Sequence, residues 1–218
     1  SCSLIGNGPE LVVFSETSAL ITDGYLEGIS TQISDSQVSF NETTLSSVSV
    51  TGSFLSSVSI NGSFYCKDNN CLMVSESPTK CFSCNSRVPF TNFGAIYVTG
   101  KSSFSNLDNK GKFIVEDGEC TIEQCSFSEN GTVKGASSSS LVIKGENSLC
   151  GRFSLPVTIS GTINCKSDLS FEQQSTLLSS TINANSVTFN AVNVTGDSSI
   201  TVPDVYLKGN TIIGHCTV

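Results

Sequence analysis

Thiols are the side chains best suited to chemistry in this sequence. Ten cysteines stand at Cys2, Cys66, Cys71, Cys81, Cys84, Cys120, Cys125, Cys150, Cys165 and Cys216. They could hold a metal or pair as disulfides. Zinc could draw on Cys66, Cys71, Cys81 and Cys84, but that spacing is not a common finger pattern, and no histidine lies near the single Cys-X-X-Cys at Cys81 and Cys84. An even number of cysteines in a chain with few charges reads better as a disulfide set, which implies an oxidising, extracellular compartment. The eight from Cys66 to Cys165 are expected in disulfides; spacing does not give the partners.

Other reactive groups are sparse. The chain has one histidine, His215, and two arginines, Arg87 and Arg152. His215 reads as a surface or terminal packing residue. Glu116, Asp117, Glu119 and Glu123 form the one acidic cluster. Paired carboxylates can do acid–base work or bind Ca²⁺, but a solvated edge is the simpler reading. No nucleophile–base constellation, phosphate loop or metal quartet stands out. The expectation is no enzyme, no cofactor and no metal.

Four Asn-X-Ser/Thr sequons fall at Asn41, Asn61, Asn130 and Asn193, candidate N-glycosylation sites. With 17 Asn and 60 Ser or Thr in 218 residues, chance alone supplies about that many, so the count decides nothing and only their placement does. A net charge of −8 argues against nucleic acid and anionic membrane surfaces as partners. No apolar run approaches a membrane span, so no membrane insertion is expected. The chain starts at Ser1 without Met, as a mature secreted protein would after signal-peptide removal.

The elements that would position these residues announce themselves by repetition. LSSVSVTGSF is followed at once by LSSVSINGSF (residues 45–64). Val-Ser-Val and Val-Ser-Ile alternate apolar and small polar residues, the pattern of a strand with one buried face. Thr51-Gly52 and Asn61-Gly62 read as turns. Ten residues cannot bury a face alone, so such units must stack.

A shift of 20 places Val38 on Val58, Phe40 on Ile60, and the sequon Asn41 on the sequon Asn61. Toward the other end the shift is 18. There Leu169 and Phe171 fall on Val187 and Phe189, then on Val205 and Leu207; Phe153 lies 18 before Phe171. Ile182 aligns with Ile200, and Val194 with Ile212. Short strands at this period, separated by Gly, Asn, Asp and Ser, indicate an all-β fold: a single-domain parallel β-solenoid over residues 1–218, with rungs of roughly 18–20 residues. An antiparallel sandwich is the rival, but its strands would not recur in register. Residues 168–178 fit the strand period better than a helix. Residues 66–92 break the alternation and hold four cysteines, which predicts a disulfide-stapled loop excursion. Ser137 to Ser140 read as a solvated corner.

FGAIYVTG (93–100) and CSFSENGTVKGAS (125–137) resemble the repeats of the polymorphic outer membrane proteins, a bacterial adhesin family with relatives among protist surface proteins. Phe127 and Asn130 match the FxxN motif; Gly94, Ala95 and Ile96 match the second motif, with Phe93 in place of its first glycine. The resemblance covers some 45 residues and implies a surface-exposed, adhesive β-helix.

At about 19 residues per rung and about 4.8 Å between rungs, the ends lie on the order of 50 Å apart. Cys2 and Cys216 then cannot pair within one chain, but they could pair between chains stacked head to tail. The expected function is an extracellular structural glycoprotein, a solenoid subunit of a surface coat or filament built end to end. The alternative is a monomeric cell-surface adhesin or carbohydrate-binding module using the segment 66–84, with glycans or a cell-surface molecule as partner. Ice binding fits poorly because the threonines are irregularly spaced, and a polysaccharide-active enzyme comes last.

Overall fold

The computed structural model describes residues 3–16, 18–22, 24–34, 37–46, 49–52, 57–66, 72–75, 78–128, 132–136, 138–209, 211–213 and 216–217, with backbone alone in several strands before residue 73 and after residue 210. Among the described residues there is no helix. The strands pair in parallel with strands one rung away, which makes a β-solenoid.

One rung shows the plan. The strand Ala95–Thr99 forms the first face, Ser102–Ser105 the second and Leu107–Asn109 the third. The next rung lays Lys112–Val115, Glu119–Glu123 and Ser126–Phe127 on them in register. Corners are made where the chain visits the left-handed region, at Gly100 and Gly118 between the first two faces and at Asn106 and Gln124 between the next two. Glycine and asparagine tolerate that region best, and a short polar side chain there points to solvent.

Strict alternation buries every second residue. On the first face one register runs Ala19, Val38, Val58, Thr79, Ile96, Phe113, Val133, Phe153, Phe171, Phe189 and Leu207, and the side chains of Val38 and of the seven residues from Thr79 to Phe189 in it are buried. The shifts that place Val38 on Val58, Asn41 on Asn61 and Phe171 on Phe189 are therefore physical contacts between rungs. Residues 168–178 are strand, as the period required.

Phenylalanines form a spine inside. Phe153 and Phe171 have ring centroids 5.3 Å apart, and Phe171 and Phe189 stack at 5.2 Å with ring planes 10° apart. Where the first-face column narrows to Val133, Phe127 reaches in from the third face and bridges Phe113 (5.3 Å) to Phe153 (6.4 Å). Polar residues also enter the interior. Asn92 Nδ2 donates to Asn109 Oδ1 at 2.6 Å, and each amide also donates to a carbonyl two residues on, Gly94 or Gly111. These buried amides thus find acceptors inside the fold, the Gly94 carbonyl also receiving the Lys112 amide at 2.9 Å.

Four expectations change. The ten-residue repeat is not one coil stacked on the next. Residues 49–52 pair with the strands Tyr25–Ser34 and Leu72–Ser75 on the third face, while residues 57–61 pair on the first, so the two copies occupy different sides. Within 66–92 the described segments Leu72–Ser75, Thr79–Ser86 and Phe90–Asn92 are strands in register with both neighbours and not a loop, while residues 67–71 and 76–77 lie outside the described residues. The irregular look of these strands comes from cysteine, serine and asparagine taking inward positions usually held by Val or Ile. Val194 pairs with Ile213, and Asn193 with Ile212, because three residues stand between Leu207 and Thr211 where two stand between Phe189 and Val192. Ser139, expected in a solvated corner, is buried, and its hydroxyl donates to the Ala136 carbonyl at 2.7 Å.

Candidate functional sites

The cysteines divide into two kinds. Cys81 bonds to Cys84 and Cys150 to Cys165. The first pair clasps one corner, at Ser83 with its positive φ. The second closes a loop of 15 residues, for which chain entropy gives about 3 kcal/mol. Bonded cysteines indicate an oxidising environment. Cys120 and Cys125, expected in disulfides, are instead free and buried. Cys120 takes an inward second-face position between Ser102 and Leu141, where it packs as a small apolar side chain. The Cys125 thiol donates to the Glu123 carbonyl at 3.2 Å. Cys66 contributes its backbone to the strand Ser57–Cys66 and Cys216 to Cys216–Thr217; Cys2 and Cys71 lie outside the described residues, so the Cys2–Cys216 pairing does too.

Burial pushes the Cys125 thiol up to about 11, and burial with the nearby Cys125 and Glu119 charges pushes Cys120 higher still. Both are raised from an ordinary value near 9, so folding favours the protonated form. The resulting stability is whole below pH 9 and is lost as pH climbs through the raised values. Iodoacetamide at pH 8, followed by peptide mass mapping, is expected to leave both thiols unmodified in the native protein and to alkylate both in guanidinium. Native labelling of either would contradict their burial.

The acidic cluster disperses. Glu116 and Asp117 are exposed at a corner, Glu119 is half-buried, and Glu123 on the outer second face is in register with Lys144. Among the described residues, no three His, Cys, Asp or Glu side chains gather to hold a metal. Arg152 pairs with Glu172 at 3.1 Å, and the Ser154 hydroxyl also donates to that carboxylate. Arg87 is exposed, and His215 lies outside the described residues.

Of the sequons, Asn41 and Asn61 stand in register one rung apart, with backbone alone described. Asn130 lies outside the described residues. Asn193 is half-buried mid-strand on the second face, and the Thr195 hydroxyl of its sequon donates to the Leu177 carbonyl at 3.3 Å. In the motifs that carry the repeat-family resemblance, Phe127 and Ile96 are buried core residues.

Surface hollows include two that adjoin at Asp108, Ser126 and Ser148 on the third face and one on the first face. A groove of about 500 Å³ on the third face is lined by Asn106, Asp108, Gln124, Ser126, Glu146 and Asn164, among others. Its polar groups largely satisfy one another: Ser126 Oγ donates to Asp108 at 2.6 Å, Lys110 pairs with Asp108 at 3.2 Å, and Asn164 Nδ2 donates to Glu146 at 3.2 Å. A smaller cleft of about 220 Å³ on the first face is lined by Lys80, Phe82, Tyr97, Thr99 and Glu116. Sequence reasoning missed this cleft. The available signal was Phe82 itself: if Cys81 and Cys84 turn inward, the phenylalanine between them must face out. Comparison of the chain with protein-family models, with curated proteins and with solved structures finds no match.

Proposed function

We propose that this chain is an extracellular structural glycoprotein, a β-solenoid subunit that builds a surface coat or filament by end-to-end stacking. The observation that carries the reading is Leu207. It continues the inward first-face column, yet it is 46 % exposed, while Phe189 and Phe171 below it are 1 % and 0 % exposed. Val205, on the buried Val187, is only half-buried. The apolar column is exposed at the last described first-face strand, and this is the surface that the proposed stacking would cover. At the opposite end Val12, Phe14 and Ala19 are likewise only partly buried.

Part of the polar surface on the sides is already paired along the axis. Outward side chains hydrogen-bond along the axis, as Ser186 does to Asp168 at 2.8 Å and Asn183 to Asn164 at 2.8 Å. Such ladders leave few free donors for a neighbour alongside. Disulfides support an oxidising compartment, and the stacked sequons Asn41 and Asn61 would place glycans on one side.

Negative-stain electron microscopy of the native material tests the proposal. Thin fibres are expected, shortening in reductant if terminal cysteines lock the junctions. Leu207→Lys, which puts a charge on the stacking surface, is expected to convert fibres to dispersed rods on the order of 50 Å long. Short rods in the unmodified protein, indifferent to reductant and to this substitution, would overturn end-to-end assembly. They would leave a monomeric surface binder as the better reading, which the first-face cleft favours.

A further inference from the structure

We propose that the first-face cleft formed by Lys80, Phe82, Tyr97, Thr99 and Glu116 is a binding subsite for one neutral pyranose unit of a glycan. The five side chains come from three successive rungs. Lys80 is in register with Tyr97 and Phe82 with Thr99, while the amide of Glu116 donates to the Val98 carbonyl at 2.8 Å. All five point outward because Cys81, Ile96, Val98 and Val115, which alternate with them, are fully buried.

Two features separate this cleft from the rest of the surface. The first is apolar. Phe82 is 45 % exposed, with Tyr97 half-buried diagonally across from it. Phe93 and Tyr206 are also exposed, but the Lys110 ammonium lies over the Phe93 ring and neither residue lines this cleft; a large aromatic exposed in a concavity beside a second ring indicates a contact surface. The second is polar. Among the described residues, the Lys80 ammonium, the Tyr97 hydroxyl and the Glu116 carboxylate make no hydrogen bond or ion pair, unlike the groups lining the third-face groove. A cation, a hydroxyl and a carboxylate therefore rim two aromatic walls with their hydrogen-bonding capacity unused.

The ligand class follows by elimination. A purely apolar ligand would desolvate Lys80 and Glu116 without compensation. An anionic ligand would meet the Glu116 carboxylate on a chain whose net charge is −8. A pyranose ring offers an apolar C–H face for Phe82 and Tyr97 and a rim of hydroxyls that both donate and accept. Glu116 can accept from two of them, while Lys80 and Tyr97 can donate to others. Cleft volume and a few convergent polar groups on aromatic walls suit one ring of a longer chain. The site lies on a side of the solenoid, so it stays open whether or not the ends stack, and its failure would not touch the assembly reading.

The test uses the folded chain and three neutral disaccharides: cellobiose, N,N′-diacetylchitobiose and lactose. The chain has four Tyr and no Trp, so tyrosine fluorescence reports on Tyr97 without tryptophan background, with saturation-transfer NMR as the second readout. At least one disaccharide is expected to bind saturably in the millimolar range. Phe82→Ala and Glu116→Gln are each expected to weaken it by about tenfold, equivalent to about 1.4 kcal/mol. Thr176→Val on the second face is expected to leave it unchanged. All substitutions are on the surface, and unaltered thermal unfolding confirms that each variant is folded. No saturable binding of any of the three, or binding that survives both Phe82→Ala and Glu116→Gln, overturns the proposal.

Discussion

Phe171→Ala is expected to lower the free energy of unfolding by about 3–5 kcal/mol, the range for emptying a buried aromatic site. Phe171 is fully buried between Phe153 and Phe189, with ring centroids 5.3 and 5.2 Å away. Its removal leaves a gap that neighbours cannot close. The rungs above and below are fixed by continuous parallel ladders, and the Phe171 strand itself is in register with Val187–Phe189. In a solenoid each rung touches only its neighbours, so the loss falls on one junction and is not shared across a wide core. Guanidinium denaturation followed by circular dichroism measures it. Phe82→Ala, which removes the same ring from an exposed position, is the internal control and is expected to change stability by no more than about 0.5 kcal/mol. Equal losses for the two would mean that the aromatic spine contributes nothing beyond local propensity.

Gly161→Ala is expected to cost about 3 kcal/mol, at the top of the range for overpacking. A Cβ built on Gly161 would sit 2.2 Å from the Gly145 carbonyl oxygen and 2.6 Å from its amide nitrogen. Both obstacles are backbone, so no rotamer change relieves the clash, and the spacing between the two rungs must open. That spacing is maintained by the ladder pairing Lys144–Gly145–Glu146 with Ser160–Gly161–Thr162, so opening it weakens hydrogen bonds on both sides of the glycine. Differential scanning calorimetry gives the cost, and amide exchange shows whether the damage is confined to this junction. A variant within 1 kcal/mol of the parent would show that the rungs do not touch backbone to backbone here.

These predictions rest on different layers of information, and so did the reading of the fold. Phe153, Phe171, Phe189 and Leu207 were legible as a column because a solenoid forces each rung to repeat the inward pattern of the last. Parallel pairing, the all-β class and the stacking of Asn41 on Asn61 follow from the same periodicity. Period alone does not fix register, because corners differ in length. Leu141 and Val157 pair across 16 residues, whereas Val58 and Thr79 pair across 21. This variation hid the strands between residues 72 and 92, placed the ten-residue repeat on two sides and displaced Ile212 from Val194.

The cysteines show where sequence stops. Their number and setting pointed to an oxidised chain, and two disulfides are present among the described residues. Whether a given thiol finds a partner depends on three-dimensional proximity and direction, and Cys120 and Cys125 serve as core residues instead. The cleft is the extreme case. Phe82, Tyr97 and Glu116 sit on three rungs, and nothing in their spacing relates them. By itself the sequence determined the architecture, because alternation and period are local properties that any stacking must satisfy. Which side chains meet on the surface was decided only by the tertiary structure, because the irregular corners set the register that brings them together.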